Sequence, residues 1–456
     1  MLPKIFTSVP GPRSLALAKR LRRSESRNVT FITDGFPIFW ERAEGTNVWD
    51  VDGNRYLDLT SGFAVAGLGY GQPEIVAAMC DQATKLYHAM GDVHPTELKV
   101  RLCEELSGMT FERWGLGNGK TILANSGSEA IEAALKTAFL ATGKRGVIAF
   151  AGAYHGLGYG ALETSGLPFF REPFRRQLGD FARLVPFPDC AACPFGEINN
   201  VCSAGCPFPN CSPSCLSKIE QEIFHLLTTE EIGCILVEPC QGRAGDIVPP
   251  LGFLTMLRNI CDQYKVLLIL DEIYTGFNRT GKLFACDYTD AKPDLICLGK
   301  GLTSGFPLSA CVGRAEVMDA WPESLGEALH TSTFLGNPLG CRMALESLRL
   351  QREDAVSVLV QQASEKLRFM LENISHSLCG RVRGIGLMLG LEVCNKNGEP
   401  NPLLMGNIIT QGLRDGLILL GGGKAGNVLS FTPPFAISDE EIIYTGERLQ
   451  SYFNES

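Results

Sequence analysis

Lys300 lies between two glycines, directly after the apolar run Leu295–Leu298. A lysine at the end of a buried strand is poorly explained as a solvated surface charge, because burial penalises the charged form and lowers the pKa of the amine. Such an amine suits nucleophilic or Schiff-base chemistry. Taken alone, the pattern also fits a surface lysine in a glycine turn.

An acidic pair, Asp271-Glu272, follows a second apolar run at 266–270. A carboxylate at the end of a buried strand needs a cation or hydrogen-bond donors. A protonated pyridine nitrogen is one such partner. A helix cap or a buried ion pair is the alternative.

Two polar turns are candidate anion sites. The turn at 125–130, Asn-Ser-Gly-Ser-Glu-Ala, leads into a predicted helix. Backbone N–H groups and the helix dipole at such a start attract a phosphate, although a plain N-cap has the same composition. The segment 331–338 places clustered hydroxyls before a Gly-Asn-Pro turn, where they either bind an oxyanion or shape the turn.

These residues must be positioned by a sheet. Short continuous apolar runs predict strands buried on both faces, and helical patterns between them predict a mainly parallel sheet with helices on both sides. Ligands bind such sheets at the carboxyl ends of the strands. The predicted strands are 121–124, Gly146–Phe150, 234–237, 266–270 and Leu295–Leu298, with helices at 128–141 and 251–264.

The C-terminal part has a different pattern, which predicts a smaller α+β domain. We place a boundary near Gly340. The predicted elements are helices at 339–351 and 355–374 and strands at 387–393 and Val428–Phe431. The expected domains are a large domain at 76–339 and a small domain at 340–456 that the N-terminal segment 1–75 joins.

In order and separation, several short motifs resemble those of the class III (ω-aminotransferase-like) branch of fold-type I pyridoxal 5′-phosphate (PLP) enzymes. The resemblance extends over about 48–437. It implies an α/β fold with a mainly parallel seven-stranded sheet in the large domain. The matching stretches are Asp50-Val51-Asp52-Gly53, 125–134, Tyr154-His155-Gly156, Val237-Glu238-Pro239, Asp271-Glu272, Thr280-Gly281, Lys300 and 333–338.

The resemblance assigns two catalytic residues. It implies that Lys300 binds PLP as a Schiff base and that Asp271 pairs with the pyridinium nitrogen, which keeps the ring an electron sink. Lys300 would also move a proton as a positioned acid and base. The expected reaction is ping-pong transamination between an amino donor (an amine, ω-amino acid, amino sugar or amino acid) and an oxo acceptor such as 2-oxoglutarate or pyruvate.

The resemblance also implies the cofactor contacts. Tyr154 would stack on one face of the ring, Ile273 would pack on the other, and Glu238 would lie behind it. Thr333 would reach the phosphate in the neighbouring subunit, so a homodimer is expected. The full predicted set is Ser126, Gly127, Ser128, Tyr154, His155, Glu238, Asp271, Ile273, Tyr274, Lys300 and Thr333.

The sequence departs from the family pattern at the substrate side. Tyr274 stands where many members have a glutamine that contacts the cofactor's 3-hydroxyl. Ser430 replaces an arginine, and Arg243 replaces the glutamate that pairs with that arginine. We hypothesise that Arg243 binds a substrate carboxylate, since a guanidinium matches a carboxylate well; a surface arginine is the alternative. Phe36 and Phe63 could line an apolar wall or belong to the core.

Other activities of the same chemistry stay open at this point. A PLP-dependent racemase, epimerase or aminomutase would use the same Lys300 and Asp271, and an amine lyase or decarboxylase would differ only in the pocket. A binding protein on a catalytically dead scaffold would require the loss of Lys300 or Asp271, and both are present.

A cysteine-rich insertion at about 188–216 interrupts the large domain. Closely spaced cysteines predict either a structural zinc or iron–sulfur site, or disulfides, or a loop without metal. The six candidates are Cys190, Cys193, Cys202, Cys206, Cys211 and Cys215.

The length and composition of the chain limit the classes of partner and location that can be expected. With 456 residues the chain is long enough for more than one domain, and its net charge of −9 argues against a nucleic-acid binder. No run is long enough to predict a membrane span. The basic segment before residue 30 fits an amphipathic surface helix or a transit peptide. The 17 cysteines without a secretory signal predict a reducing, cytoplasmic location.

Overall fold

The computed structural model of the chain describes residues 1–31, 33, 35–189, 195 and 213–456. The chain forms two compact units. The large unit is Glu74–Ser357, and the small unit combines Met1–Pro73 with Val358–Ser456. The division at 357 differs from the expected boundary near Gly340. The helix Pro338–Gln351 belongs to the large unit because it packs on the helix Glu97–Ser107.

The N-terminal part of the small unit is a helix followed by three antiparallel strands and a short turn. These elements are α1 (Pro12–Leu21), β1 (Trp40–Glu44), β2 (Asn47–Asp50), β3 (Arg55–Asp58) and α2 (Ser61–Ala64).

The large unit contains one sheet and its covering helices. Its strands are β4 (Gly119–Ala124), β5 (Gly146–Phe150), β6 (Ala182–Val185), β7 (Ile232–Val237), β8 (Leu267–Asp271), β9 (Leu295–Leu298) and β10 (Ser309–Arg314). Its helices are α3 (Pro73–Lys85), α4 (Glu97–Ser107), α5 (Gly127–Thr142), α6 (Tyr159–Thr164), α7 (Pro168–Arg171), α8 (Pro213–Thr229), α9 (Gly252–Tyr264), α10 (Ala315–Met318) and α11 (Pro338–Gln351).

The sheet of the large unit has seven strands in the order β4-β10-β9-β8-β7-β5-β6. Strands β6, β5, β7, β8 and β9 pair in parallel, whereas β10 runs antiparallel to both of its neighbours. All residues of β7 and β9 are buried, as expected for strands covered on both faces. The predicted mainly parallel, seven-stranded α/β fold is confirmed.

The topology brings the candidate chemistry to one edge. The carboxyl ends of the parallel strands β7, β8 and β9 lead into Glu238, Asp271 and Lys300. Because β10 is antiparallel to both β4 and β9, the carboxyl end of β4 and the start of α5 lie at the same edge.

The C-terminal part of the small unit is α+β, as predicted. It consists of α12 (Asp354–Glu372), β11 (Cys379–Ile385), β12 (Met388–Val393), α13 (Pro402–Arg414), β13 (Leu417–Ile418), β14 (Leu420–Gly422), β15 (Val428–Phe431) and α14 (Asp439–Asn454), of which α12 begins in the large unit. Strand β13 extends the N-terminal sheet in the order β1-β2-β3-β13. The other sheet has the order β11-β12-β15-β14.

Among the described residues, no helix is both long and apolar enough to cross a membrane.

Candidate functional site

Lys300 begins a short 3-10 turn directly after β9 and Gly299. Its φ of +38° lies in a region that residues with a side chain rarely occupy. Such strain persists only where the surroundings hold it. Here the carbonyl of Gly301 accepts hydrogen bonds from Ser347 Oγ (3.1 Å) and Gln351 Nε2 (2.8 Å), both on α11.

The surroundings of Lys300 influence its charge in opposing ways. Burial lowers the pKa of the Lys300 amine, while the carboxylates of Asp271 and Glu238 act to raise it, and the net direction is down. The Lys300 amine also lies over the ring of Tyr274, with Nζ 4.9 Å from the ring centroid. The lowered pKa makes the neutral, proton-accepting form of the amine more accessible than in a solvated lysine.

Asp271 ends β8 and is only 4% exposed. Its Oδ2 lies 2.8 Å from Nδ1 of His155, and its Oδ1 accepts from the Ile273 N–H at 3.1 Å. These contacts hold the carboxylate in one orientation. His155 is itself buried, and its Nε2 has no hydrogen-bond partner among the described residues. The site therefore contains a buried polar atom that none of the described residues hydrogen-bonds.

Glu238 follows β7 and connects two backbone segments. Its Oε1 accepts from the Tyr154 N–H (2.9 Å) and its Oε2 accepts from the Gly242 N–H (3.1 Å). Burial raises the pKa of Glu238 to about 7, with the Asp271 carboxylate adding to this effect and His155 opposing it. Glu238 therefore ties the backbone at Tyr154 to the backbone at Gly242.

The turn before α5 forms a cradle of backbone donors. Ser126 caps the helix through its Oγ, which accepts from the Glu129 N–H at 3.3 Å. Ser128 Oγ accepts from the Gly158 N–H at 2.9 Å. A Cβ on Gly127 would come within 3.0 Å of the Ile273 side chain, so the backbone passes close to Ile273 only because this residue is glycine. Free N–H groups at such a helix start suit a phosphate.

A second polar segment meets the cradle. Asn125 Nδ2 donates to Ser332 Oγ at 2.9 Å, and the Asn125 N–H donates to Glu129 Oε2 at the same distance. Thr333, the next residue, is exposed on this chain. The role of Asn125 was not predicted, although its place at the head of the turn is the signal that could have indicated it.

Taken together, the side chains fit PLP. The cofactor needs a lysine amine, a carboxylate for its ring nitrogen, an anion cradle and apolar or aromatic surfaces. The structure brings to one edge of the sheet the predicted residues Ser126, Gly127, Ser128, Tyr154, His155, Glu238, Asp271, Ile273, Tyr274 and Lys300.

The family is settled by comparison with known proteins. A model of the family described as aminotransferase class-III matches residues 32–453. The chain belongs to the class-III aminotransferases. The 4-aminobutyrate aminotransferase of Mycobacterium leprae is 35% identical over 450 residues, which cover 96% of this chain and 95% of that protein.

Two other comparisons bear on the chemistry and on the cofactor. An alanine/serine racemase of Pyrococcus horikoshii is 33% identical over 441 residues, covering 96% of this chain and 90% of that protein. The PLP-bound structure of an amine transaminase from an uncultivated Pseudomonas species has a TM-score of 0.83 at 25% identity, covering 95% of this chain and 98% of that one. The predicted PLP-dependent class-III transaminase is therefore confirmed.

In this class-III aminotransferase an aromatic wall continues from Tyr154. The rings of Tyr154 and Phe170 meet edge to face at 5.3 Å, and the Arg243 guanidinium lies 6.0 Å from the Phe170 ring. Burial raises the pKa of the Tyr154 hydroxyl, and the charge of Arg243 opposes that rise. Arg243 is exposed beside this wall. Phe170 was not predicted, because nothing in its local sequence distinguishes it.

Two predicted substrate residues of the aminotransferase lie in the small unit. Phe63 is 63% exposed and has a φ of +66° within α2. Phe36 is partly buried, with its ring 6.0 Å from that of Phe31. Their contact with a substrate stays a prediction.

The cysteine prediction falls mainly outside the described residues of the aminotransferase. Cys190, Cys193, Cys202, Cys206 and Cys211 lie there. Cys215 is described and is fully buried in the core of the large unit, in the first turn of α8. The described part of the chain contains no group of three or more His, Cys, Asp or Glu side chains that could hold a metal ion.

Proposed function

We propose that the chain transfers an amino group from an ω-amino acid, amine, amino sugar or amino acid to a 2-oxo acid such as 2-oxoglutarate or pyruvate. The observation that carries the proposal is the placement of the Lys300 amine. It is buried at the edge of the sheet where α5 begins, close enough to the carboxylates of Asp271 and Glu238 for both to favour its protonated form. Similarity to a 4-aminobutyrate aminotransferase supports an ω-amino acid as donor.

The residues that would hold PLP have distinct tasks. The N–H groups of Gly127 and Ser128 would bind its phosphate, and Asp271, oriented by His155, would hold a proton on the ring nitrogen. Tyr154 and Ile273 would enclose the ring. When bound, PLP supplies an electron sink that stabilises negative charge on the substrate carbon next to nitrogen.

Lys300 would then act as the acid and base of the reaction. Its Nζ can remove a proton from the substrate carbon and return it elsewhere, because its lowered pKa makes the neutral amine accessible. The turn that positions this atom is fixed by Ser347 and Gln351 through the Gly301 carbonyl.

Reduction with sodium borohydride followed by peptide mass spectrometry tests the cofactor attachment. We expect a pyridoxyl group on Lys300 in the wild type and none at this position in Lys300→Ala. A second measurement follows nitrogen transfer from 4-aminobutyrate to 2-oxoglutarate as glutamate formation. Absence of the pyridoxyl group from Lys300 would overturn the proposed function.

Racemisation is the second candidate function, and the similarity to an alanine/serine racemase is the observation that favours it. A racemase needs no oxo acceptor, whereas a transaminase stops after one half-reaction without it. Incubation with L-alanine or L-serine alone, followed by chiral chromatography, separates the two. Catalytic accumulation of the D-isomer without any oxo acid would assign racemase activity instead.

For the substrate carboxylate we propose Arg243. Its guanidinium lies beside the aromatic wall of Tyr154 and Phe170, and a planar fork of donors suits a carboxylate. Arg243→Ala should raise the KM of carboxylate co-substrates about tenfold or more. Arg175→Ala, at another exposed arginine of the large unit, is the control. An unchanged KM for every carboxylate co-substrate would rule out this role.

A homodimer in which Thr333 reaches the partner's cofactor is the proposed assembly. Asn337 Nδ2 donates to the Tyr87 carbonyl at 3.1 Å, and Thr331 Oγ1 donates to Asp92 Oδ2 at 2.5 Å. These bonds join two segments whose apolar side chains are exposed. The side chains are Tyr87 (70%), Met90 (55%), Val93 (58%) and Phe334 (59%). An exposed patch of this kind supports burial against a second copy.

Subunit mixing tests this assembly. In a mixed dimer of Lys300→Ala and Thr333→Ala subunits, one site would combine an intact Lys300 with an intact Thr333 from the other subunit. We expect activity above that of either parent after mixing. Activity no higher than the parents would show that Thr333 does not act across subunits.

The zinc site in the cysteine-rich insertion and the cytoplasmic location both stay predictions. Metal analysis of protein purified without chelators, compared with a variant carrying serine at Cys190, Cys193, Cys202, Cys206 and Cys211, would decide the first. About one zinc per chain in the wild type and none in the variant is the result that a structural site requires.

A further inference from the structure

Tyr274 contacts the amine of Lys300 with the face of its ring. The distance from Nζ to the ring centroid is 4.9 Å. At this distance the negative face of an aromatic ring attracts a cation. The family resemblance suggested a different task for this position, in which the side chain hydrogen-bonds to the cofactor. In this structure the ring face of Tyr274 contacts the Lys300 amine.

The ring of Tyr274 also packs against the backbone. A Cβ on Gly242 would lie 3.0 Å from Cδ1 of Tyr274, so the ring packs directly on this glycine. The Gly242 N–H in turn donates to Glu238 Oε2 at 3.1 Å. Glu238 therefore fixes the backbone against which the ring packs.

The charged groups around Lys300 make its protonation sensitive to this contact. The Asp271 carboxylate, which His155 orients, and the Glu238 carboxyl both favour the protonated amine, whereas burial disfavours it. Because burial is the larger influence, any further attraction for the cation changes the balance between the two protonation states. The face of Tyr274 supplies such an attraction without adding another carboxylate.

We propose that Tyr274 is a positioning residue whose ring face holds the protonated Lys300 amine in place whenever that amine is not bound to the cofactor. The inference rests on the proposed function, in which the substrate displaces Lys300. The ring keeps the ammonium beside Asp271 and Glu238, so that its proton stays at a defined place between the two half-reactions.

The test measures the titration of Lys300 in the holoenzyme reconstituted with pyridoxamine phosphate, where its amine is free. Brief acetylation with acetic anhydride between pH 6 and 11 is followed by mass spectrometry of the Lys300 peptide. The exposed Lys144 serves as internal reference. We expect Tyr274→Leu to lower the titration midpoint by about one pKa unit, and Tyr274→Phe to leave it within about 0.3 units of wild type.

The direction in which the Lys300 midpoint shifts distinguishes the loss of the ring from a change in hydration. Leucine is smaller than tyrosine, and additional water around Lys300 would raise its midpoint instead of lowering it. Gly242→Ala provides an independent variant, since its methyl group displaces the ring without removing it. It should shift the midpoint in the same direction as Tyr274→Leu, and it decides the matter if the leucine variant does not fold.

Two results would overturn the inference. Equal midpoints in wild type, Tyr274→Leu and Gly242→Ala would show that the ring does not hold the cation. A phenylalanine variant that behaves like leucine would assign the effect to the hydroxyl. Either result together with an intact pyridoxyl group on Lys300 after borohydride reduction leaves the proposed function standing, whereas a missing pyridoxyl group removes that function itself.

Discussion

Both units place residues with side chains at positive φ, and they stabilise this backbone conformation by different means. In the large unit Lys300 has a φ of +38°, and two side chains of α11 hold the following carbonyl. In the small unit four successive residues of α2 have φ between +47° and +66°. One strained residue costs about 1–2 kcal/mol, so the second turn needs much stronger support.

That support is the buried carboxylate of Asp58. It accepts hydrogen bonds from the Thr60 N–H (2.8 Å), the Thr60 hydroxyl (2.6 Å), the Gly62 N–H (3.2 Å) and the Tyr70 hydroxyl (2.6 Å). The single residue that carries the chemistry is thus supported by two neutral donors on the following carbonyl, whereas the longer turn is supported by one buried carboxyl group that accepts four hydrogen bonds.

Replacing Lys300 with glycine should have the largest effect. Transamination should fall on the order of 10⁴-fold because the acid and base is lost. The melting temperature of the cofactor-free protein should rise, since glycine adopts positive φ without strain and no buried amine remains. Transamination assays and thermal melts of the wild type and of Lys300→Gly measure these two effects. A destabilised variant would show that the strain at Lys300 is not released.

Removal of the Asp58 carboxylate should have the next largest effect. Asp58→Ala leaves several buried donors without an acceptor, and we expect a loss of about 3 kcal/mol in the free energy of unfolding in urea. Asp58→Asn retains the shape and one acceptor oxygen, so its loss should be smaller. If both variants lose less than about 1 kcal/mol, the carboxylate is not what stabilises α2.

pH should affect the large unit near neutrality. Burial raises the pKa of both Glu238 and Glu272 to about 7. A carboxyl with a raised folded pKa holds a proton at pH values where the unfolded chain has released it, so stability falls as pH rises from about 4.5 to 7. Each carboxyl contributes up to about 3 kcal/mol of this fall.

The double variant Glu238→Gln/Glu272→Gln isolates this contribution. Its melting temperature should change less than that of the wild type across the same pH window, because glutamine does not titrate. Parallel pH profiles for the two proteins would contradict the assignment. Asp58, whose pKa is raised by burial in the small unit, stays unchanged in both proteins and serves as the internal reference.

The smallest effect is expected at Phe63. Phe63→Gly relieves positive φ at an exposed position, so stability should rise by about 0.5–1 kcal/mol in thermal unfolding. If the side chain contacts the substrate, the KM of the amino donor should rise several-fold while the Lys300 chemistry persists. An unchanged KM for every donor would remove Phe63 from the substrate site.

Much of the sheet and of the chemistry could be predicted from the sequence. Continuous apolar runs indicated strands buried on both faces, and the structure has the strands Gly146–Phe150 and Leu295–Leu298 at the predicted bounds. The rule that ligands bind at the carboxyl ends of parallel strands selected Lys300 and Asp271. These features are local, because each depends on a short stretch of chain and on its end.

The tertiary structure alone decided the contacts between distant residues. His155 meets Asp271 across 116 positions of sequence, and Glu238 meets the backbone of Tyr154 across 84. The support of Lys300 by Ser347 and Gln351, the ring of Tyr274 on its amine and the left-handed α2 likewise gave no local signal. Residue types and spacing determine which groups are present and which strand end bears them. Packing determines which of those groups touch, and therefore the charge and orientation of the reacting atoms.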